Sequence, residues 1–298
     1  MASRLKAVVP KSATPSKPKI LIFGRAGVGK TWSALDFPSV YYIDTEGGAD
    51  LAHYTDKLVA SGGMYLGPEQ GSNSFETVID QVKALAVEPH DYRTLVIDSI
   101  SILFNTAVAE ASEDLGDKDQ FGASKKAGVS KMRILLRWLR RLDMNVVLIA
   151  HATSEWGVGK NGQREQIGET FDAWDRLEYE LHLCLQIEKT GKARYARVRK
   201  SRLKEFPDAE RFAWSYADFA DRYGRSVIEA GSAAIALATP AQVSEITKLL
   251  AVVKVPDGWE QKFLSDSDAE TWAEVPEEHA GKVIERLRKN VSELKEVA

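Results

Sequence analysis

The chain has 298 residues and a single cysteine, Cys184, in the apolar stretch "LHLCLQI", so no internal disulfide can staple it. That thiol reads as a buried structural group in a reducing compartment. The five histidines show no metal-ligand spacing with it, and no zinc site is expected. No apolar run approaches the ~20 residues of a membrane span, and the opening "MASRLKAVVPKSATPSKPK" lacks a signal-peptide core. A cytoplasmic protein with no membrane partner is the expectation. Excess positive charge is missing too: the formal net charge is -3, so any contact with nucleic acid needs a local basic patch. There is no internal repeat.

What is present is an ordinary globular composition, 44% hydrophobic and 28% charged, which excludes disorder of the whole chain. Residues 1–18, rich in Lys, Pro, Ser and Ala, read as a flexible tail, with strand-forming character only in "LKAVV" at 5–9. Buried-strand runs "KILIFG", "VYYID", "TLVID" and "NVVLIAH" then alternate with helical patterns such as "SFETVIDQVKALAV". In "SKMRILLRWLRRLD", Met132, Leu135, Leu136 and Leu139 recur at three- and four-residue spacing, and Arg133, Arg137, Arg140 and Arg141 fall mostly on the other face. This alternation predicts an α/β fold, a mostly parallel central sheet flanked by helices. From about residue 180, "LHLCLQIEK", "ARYARVRKSR" and "RFAWSY" read as successive strands extending that sheet.

Past Gly231 the texture becomes a small-residue linker, 231–239, and then purely helical. Thr239-Pro240 is a hydroxyl cap followed by a first-turn proline, opening a helix that carries Val243, Ile246, Leu249 and Leu250. A last helix from about Pro276 has Glu277 and Glu278 in its first turn and Val283, Ile284, Leu287 and Val291 on its apolar side. The expected division is a tail (1–18), a core (19–230), the linker, and a small all-α module (240–298).

"GRAGVGKT", residues 24–31, fits G-x-x-x-x-G-K-[ST] at every fixed position, directly after a strand and opening a helix. Gly24, Arg25, Ala26, Gly27, Val28 and Gly29 would wrap phosphates with backbone N–H groups, Lys30 would reach the β- and γ-phosphates, and Thr31 would place its hydroxyl on Mg²⁺. With no N-K-x-D guanine-reading motif, ATP is favoured over GTP. Asp98, ending "TLVID", suits the acidic position that holds the magnesium. The next residue is Ser99, where many ATPases carry the glutamate that activates water. In "YYIDTEGGAD", Glu46 sits two residues past the strand tip on the same sheet edge, where it can polarise the attacking water or, more plainly, cap a turn or bind a cation.

"GRAGVGKT", "YYIDTEGG", "TLVIDSISIL" and "VVLIAH" together resemble the P-loop ATPase core of the RecA recombinase family, over about residues 19–205. More specifically, they resemble the short RecA-like ATPases that bacteriophages encode beside single-strand annealing systems. The resemblance implies Glu46 as catalytic base and His151, where RecA has glutamine, as the group that senses the γ-phosphate. It makes "ATSEWGVGKNGQREQIGETFDAWD" a DNA-binding loop, with Trp156 to stack a base and Lys160 and Arg164 for phosphates. A weaker second loop is "SEDLGDKDQFGASKKAG", with Phe121, Lys125 and Lys126. In the acid-free segment "KTGKARYARVRKSRLK", Lys200 and Arg202 match cations that reach the ATP of an adjacent subunit, although alternating cations on an edge strand also serve as a solvated face. "LKAVV" would then dock on a neighbour.

The implied protein is a DNA-stimulated ATPase that forms a ring or filament on single-stranded DNA and promotes pairing or annealing. Its C-terminal module would recruit a single-strand-binding or other recombination protein, or add DNA contact. A helicase-like motor or loader of the same fold is the alternative. A nucleotide-gated binding protein with negligible hydrolysis is a second, against which Glu46 argues.

Overall fold

The computed structural model describes residues 16–48, 51–159 and 162–297, with side chains through Val291. "LKAVV" and Lys160 lie outside the described residues. In chain order the elements are β1 (Lys19–Gly24), α1 (Lys30–Ala34), β2 (Val40–Asp44), α2 (Ala52–Ala60), β3 (Met64–Leu66), α3 (Phe75–Val87), β4 (Thr94–Asp98), α4 (Ile100–Leu115) and α5 (Ala123–Arg141). There follow β5 (Asn145–Val158), β6 (Arg164–Phe171), α6 (Leu177–Glu180), β7 (Leu183–Thr190), β8 (Ala193–Ser201), β9 (Arg211–Ala213), α7 (Tyr216–Tyr223), α8 (Arg225–Ile228), α9 (Pro240–Leu250), α10 (Trp259–Asp266) and α11 (Glu277–Val297).

All the strands belong to one compact unit, made of the chain through Asn73 with Tyr92–Thr106 and Met144–Gly231. They form one sheet in the order β3-β2-β4-β5-β1-β7-β8-β9, with β6 paired to β5 off this path. From β3 to β7 every pairing is parallel, and β8, β9 and β6 are antiparallel additions. The mostly parallel sheet, extended by further strands after residue 180, is the architecture expected above; the structure adds that β8 and β9 extend it antiparallel. Strands β1 and β4 are buried at every residue, which is why they read as continuous apolar runs. Alternate positions feed a single core: Ile20, Ile22, Val96, Val147, Ile149, Leu183 and Leu185 pack with Phe206, Trp214 and Phe219.

The second unit comprises Ser74–Asp91, Ala107–Asp143 and Ser232–Ala298. In it α3 packs on α5 and α9 on α11. Ile246, Trp272, Val275, Ala280 and Leu287 form the core of its C-terminal part. Thr239 caps α9 as its sequence signalled, accepting from the Gln242 N–H while the Gln242 side chain returns a bond to the Thr239 N–H. Helix α10 is additional to the sequence reading: it begins at Gly258 with no side-chain cap, and it is held by the rings of Trp259 and Phe263 against Trp272. Arg137 pairs with Glu270 at 3.1 Å and Glu274 at 3.3 Å, and Arg141 donates to the Glu274 carbonyl at 2.7 Å, joining α5 to the turn before α11.

At the end of the sheet remote from the phosphate loop, the fully buried Asn145 gathers three chain segments. Its amide donates to Arg93 O at 2.9 Å, Thr94 Oγ1 at 3.2 Å and Ile228 O at 2.8 Å. Asn145→Ala leaves the Ile228 carbonyl without this donor and removes the link between the three segments, and we expect it to destabilise the protein by about 2 kcal/mol. The expected reading is a lower urea midpoint at unchanged slope.

Candidate functional site

Parallel pairing decides which residues meet at the C-terminal edge of the sheet. Gly24 at the end of β1 lies opposite His151 of β5, and Asp44 at the end of β2 lies opposite Asp98 at the end of β4. Residues 24–31 leave β1 there and wrap into α1. A cavity of about 480 Å³ opens over this edge, its wall including Lys30, Thr31, Tyr54, Asp98, Glu46 and His151. Gly24 is obligatory because β7 passes close by: a Cβ there would come 2.5 Å from the Ile187 carbonyl oxygen.

Lys30 folds over its own loop, donating to Gly24 O at 2.8 Å and Arg25 O at 3.1 Å. Burial lowers its proton affinity, while the charges of Asp98 and Glu46 work against that shift. Thr31 Oγ1 donates to Asp98 Oδ2 at 2.5 Å, and the Tyr42 hydroxyl donates to the same oxygen at 3.1 Å. Asp98 is only 8% exposed. Burial pushes its carboxyl up to about 6; the Thr31 hydrogen bond opposes the shift and the Glu46 charge adds to it. A hydroxyl beside a carboxylate is a hard-oxygen donor set that fits Mg²⁺. Among the described residues no group of three or more His, Cys, Asp or Glu is arranged to hold a metal.

Glu46 is placed by a residue the sequence reading passed over. Asp44 is buried, and its Oδ1 accepts the N–H of Glu46 at 3.0 Å and of Gly47 at 2.9 Å. Tyr65 donates to its Oδ2 at 3.1 Å, and the Ser72 hydroxyl donates to its carbonyl. An aspartate at a strand end followed by Thr-Glu-Gly is the available signal for such an Asx turn. From this turn Glu46 Oε1 meets His151 Nε2 at 2.7 Å, with the side chains 35% and 41% exposed. The His151 N–H donates to Ser101 Oγ at 2.9 Å. Thr45, between the two acids, ties β2 to β4: its N–H donates to Asp98 O at 2.7 Å, and its hydroxyl accepts from the Ser99 N–H at 2.8 Å. Ser99 itself accepts from the Ile102 N–H at 3.3 Å, capping α4.

The stretch after His151 is not the long loop expected. β5 continues to Val158 and returns as β6, giving an antiparallel hairpin with a bulge at Glu155/Trp156. Both faces of its outer part are solvated, so no apolar alternation announces it. Trp156 is 53% exposed, with the Arg164 guanidinium 5.4 Å from its ring. The base of the hairpin is bolted to the phosphate loop: Arg25 pairs with Glu169 at 2.5 Å, and Arg199 bonds Glu169 O at 3.0 Å and Glu155 at 2.8 Å. The 112–128 stretch is likewise mostly helical, the end of α4 and the start of α5, with Phe121 almost fully exposed in the short connection.

Lys200 and Arg202 lie at the opposite end of the sheet, since β8 runs antiparallel to β7. The Lys200 ammonium donates to Leu181 O, and the Arg202 guanidinium to Tyr179 O. Neither enters this chain's own cavity. The other end of β8 brings in Arg194, whose Nε donates to Val28 O of the phosphate loop at 3.0 Å. It was one of several cations in a basic segment, and nothing in the spacing singled it out.

A family model described as an AAA domain matches residues 16–206. No curated protein matches the chain. Among solved structures the chain is similar to the RadB recombinase, at 17% identity over 66% of this chain and 86% of that one, with a TM-score of 0.42. It is similar to an ATPase from the type III secretion system of pathogenic bacteria, at 15% identity over 92% and 80%, TM-score 0.41. The pCW3 conjugation coupling protein TcpA aligns at 12% identity over 72% and 64%, TM-score 0.34. Likenesses this distant carry no functional weight.

The buried Asp98 gives a pH prediction. Its folded-state pKa lies above the unfolded value, so the stability linked to its proton is complete below about pH 4 and is lost as pH rises through about 6. Asp98→Asn removes a buried charge, and in EDTA without nucleotide we expect it to stabilise the protein by up to about 3 kcal/mol above pH 7. The gain should vanish near pH 4 when melting temperatures of the two proteins are compared across that range.

Proposed function

The chain belongs to the AAA domain family, and on that footing we propose that it is an ATP-hydrolysing DNA recombination protein. In this reading it binds single-stranded DNA, promotes pairing or annealing, and uses hydrolysis to control its assembly. The observation that carries the reading is the position of Glu46: hydrogen-bonded to His151, on the same sheet edge as Lys30, Thr31 and Asp98.

Nucleotide entry would draw the Lys30 ammonium from its own loop carbonyls to the β- and γ-phosphates. Thr31 and Asp98 would hold a nucleotide-borne Mg²⁺, which neutralises developing charge on the phosphate oxygens. The Glu46 carboxylate, aimed by the Asp44 turn, accepts a proton from the attacking water. His151, released from Glu46, donates to the γ-phosphate and carries its presence into β5 and the hairpin beyond.

That hairpin supports the DNA part of the proposal. Trp156 offers an exposed ring, Arg164 lies beside it, and Lys160 belongs to the same stretch. Lys200 and Arg202, remote from this chain's cavity, are proposed to serve the nucleotide of a neighbour in a homo-oligomer. The sequence resemblance to phage-encoded ATPases supports a role beside single-strand annealing, with the C-terminal helices available to a recombination partner.

Steady-state ATP hydrolysis, measured without DNA and with single-stranded or duplex DNA, tests this. We expect stimulation by single strands, a loss of about 100-fold or more in Glu46→Gln with ATP binding retained, and loss of binding in Lys30→Ala. Undiminished hydrolysis in Glu46→Gln removes the assignment of the base. Indifference to every DNA removes the recombination reading in favour of a loader.

A further inference from the structure

Beside the first cavity lies a second of about 290 Å³, whose wall includes Gly29, Lys30, Thr31, Trp32, Tyr54 and Arg194. It shares Lys30, Thr31 and Tyr54 with the first cavity, so the two form one trough along the loop. A triphosphate whose γ end lies at Glu46 would run its remaining phosphates toward this second space.

Arg194 is the odd member of its neighbourhood. Arg25 pairs with Glu169, Arg197 and Arg211 with Glu188, and Arg199 with Glu155. Arg194 is half-buried and has no carboxylate partner among the described residues; its one hydrogen bond there is from Nε to Val28 O at 3.0 Å. That bond orients the guanidinium and leaves both terminal NH₂ groups uncommitted. The group rests directly on the loop: a Cβ on Gly29 would sit 2.3 Å from Nε and 2.9 Å from one terminal nitrogen. Only a glycine at that position lets the arginine approach. A partly desolvated cation, fixed at one end and free at the other, beside Lys30 and Thr31, has the chemistry of an anion ligand.

We propose that Arg194 is a nucleotide-binding residue that grips the part of the phosphate chain common to ATP and ADP from within the same subunit. This rests on the nucleotide reading above and adds a cation that no motif in the sequence supplies. Lys30 and Arg194, both in the wall of the second cavity, would hold the phosphate chain together. The Val28 carbonyl keeps the guanidinium in place before the nucleotide arrives, which lowers the ordering cost of binding.

The test is calorimetric titration of ADP and ATP into the wild type, Arg194→Gln and Lys30→Ala, with unfolding of each protein without nucleotide. We expect Arg194→Gln to lose about 10-fold or more in affinity for ADP and ATP alike. Its unliganded melting temperature should be unchanged, and the salt dependence of its ADP affinity should be shallower than that of the wild type. Wild-type affinity in Arg194→Gln, with binding lost in Lys30→Ala, overturns this proposal and leaves the nucleotide site standing. A loss confined to ATP overturns the assignment to the shared phosphates. A lowered unliganded melting temperature with an unaltered salt dependence makes Arg194 a brace for the loop and overturns it as a ligand. If the wild type binds neither nucleotide, the underlying reading falls and takes this one with it.

Discussion

The register of the parallel strands is the constraint on which the rest of this site depends. Gly24, His151, Asp98 and Asp44 belong to four different strands, and only the pairing of β1 with β5, β5 with β4 and β4 with β2 puts their ends in one row. Because side chains alternate across a sheet, a one-residue slip in β4 would bring Ile97 to the tip and turn the Asp98 carboxylate toward the opposite face. The apolar runs that look like mere core therefore hold a functional alignment. Their burial on both faces makes the register expensive to change.

Crowding of acids at that edge is the second physical theme. Asp44, Glu46 and Asp98 all line the cavity, together with the ammonium of Lys30. Each acid is managed differently. Asp44 is buried and spends its oxygens on backbone N–H groups and the Tyr65 hydroxyl. Asp98 is held by two hydroxyls and resists ionisation. Glu46 remains partly exposed and is hydrogen-bonded to His151. Three carboxylates of similar intrinsic acidity thus stand in three different settings: tied into a turn, buried under two hydroxyls, and partly exposed beside an imidazole.

Much of this was legible because it is local. The phosphate loop is a fixed spacing between a strand and a helix, and β1, β2 and β4 announce themselves as short apolar runs with acidic or glycine ends. The helix cap at Thr239 reads directly from hydroxyl and proline, and the structure adds the answering Gln242 side chain. What stayed hidden depends on distant partners. Arg194 is one of several cations in a basic strand, and only the folding of β8 against β7 brings it to Val28. The hairpin after His151 has solvent on both faces of its outer part, so its strands lack the apolar alternation that reveals others. Asp44 ends its strand as acids commonly do, and its hold on Glu46 becomes visible only when the turn is seen closing over its carboxylate.

Ser99 shows what the packing beside Asp98 allows. The position after Asp98 is fully buried, its backbone N–H is committed to the Thr45 hydroxyl, and its own hydroxyl caps α4. A glutamate there would bury a charge and strip the helix of its hydroxyl cap at once. Neighbouring contacts close that position to an acid. An acid at this edge therefore stands on the partly exposed turn after β2, where Glu46 is, and not beside Asp98 in the packed start of α4.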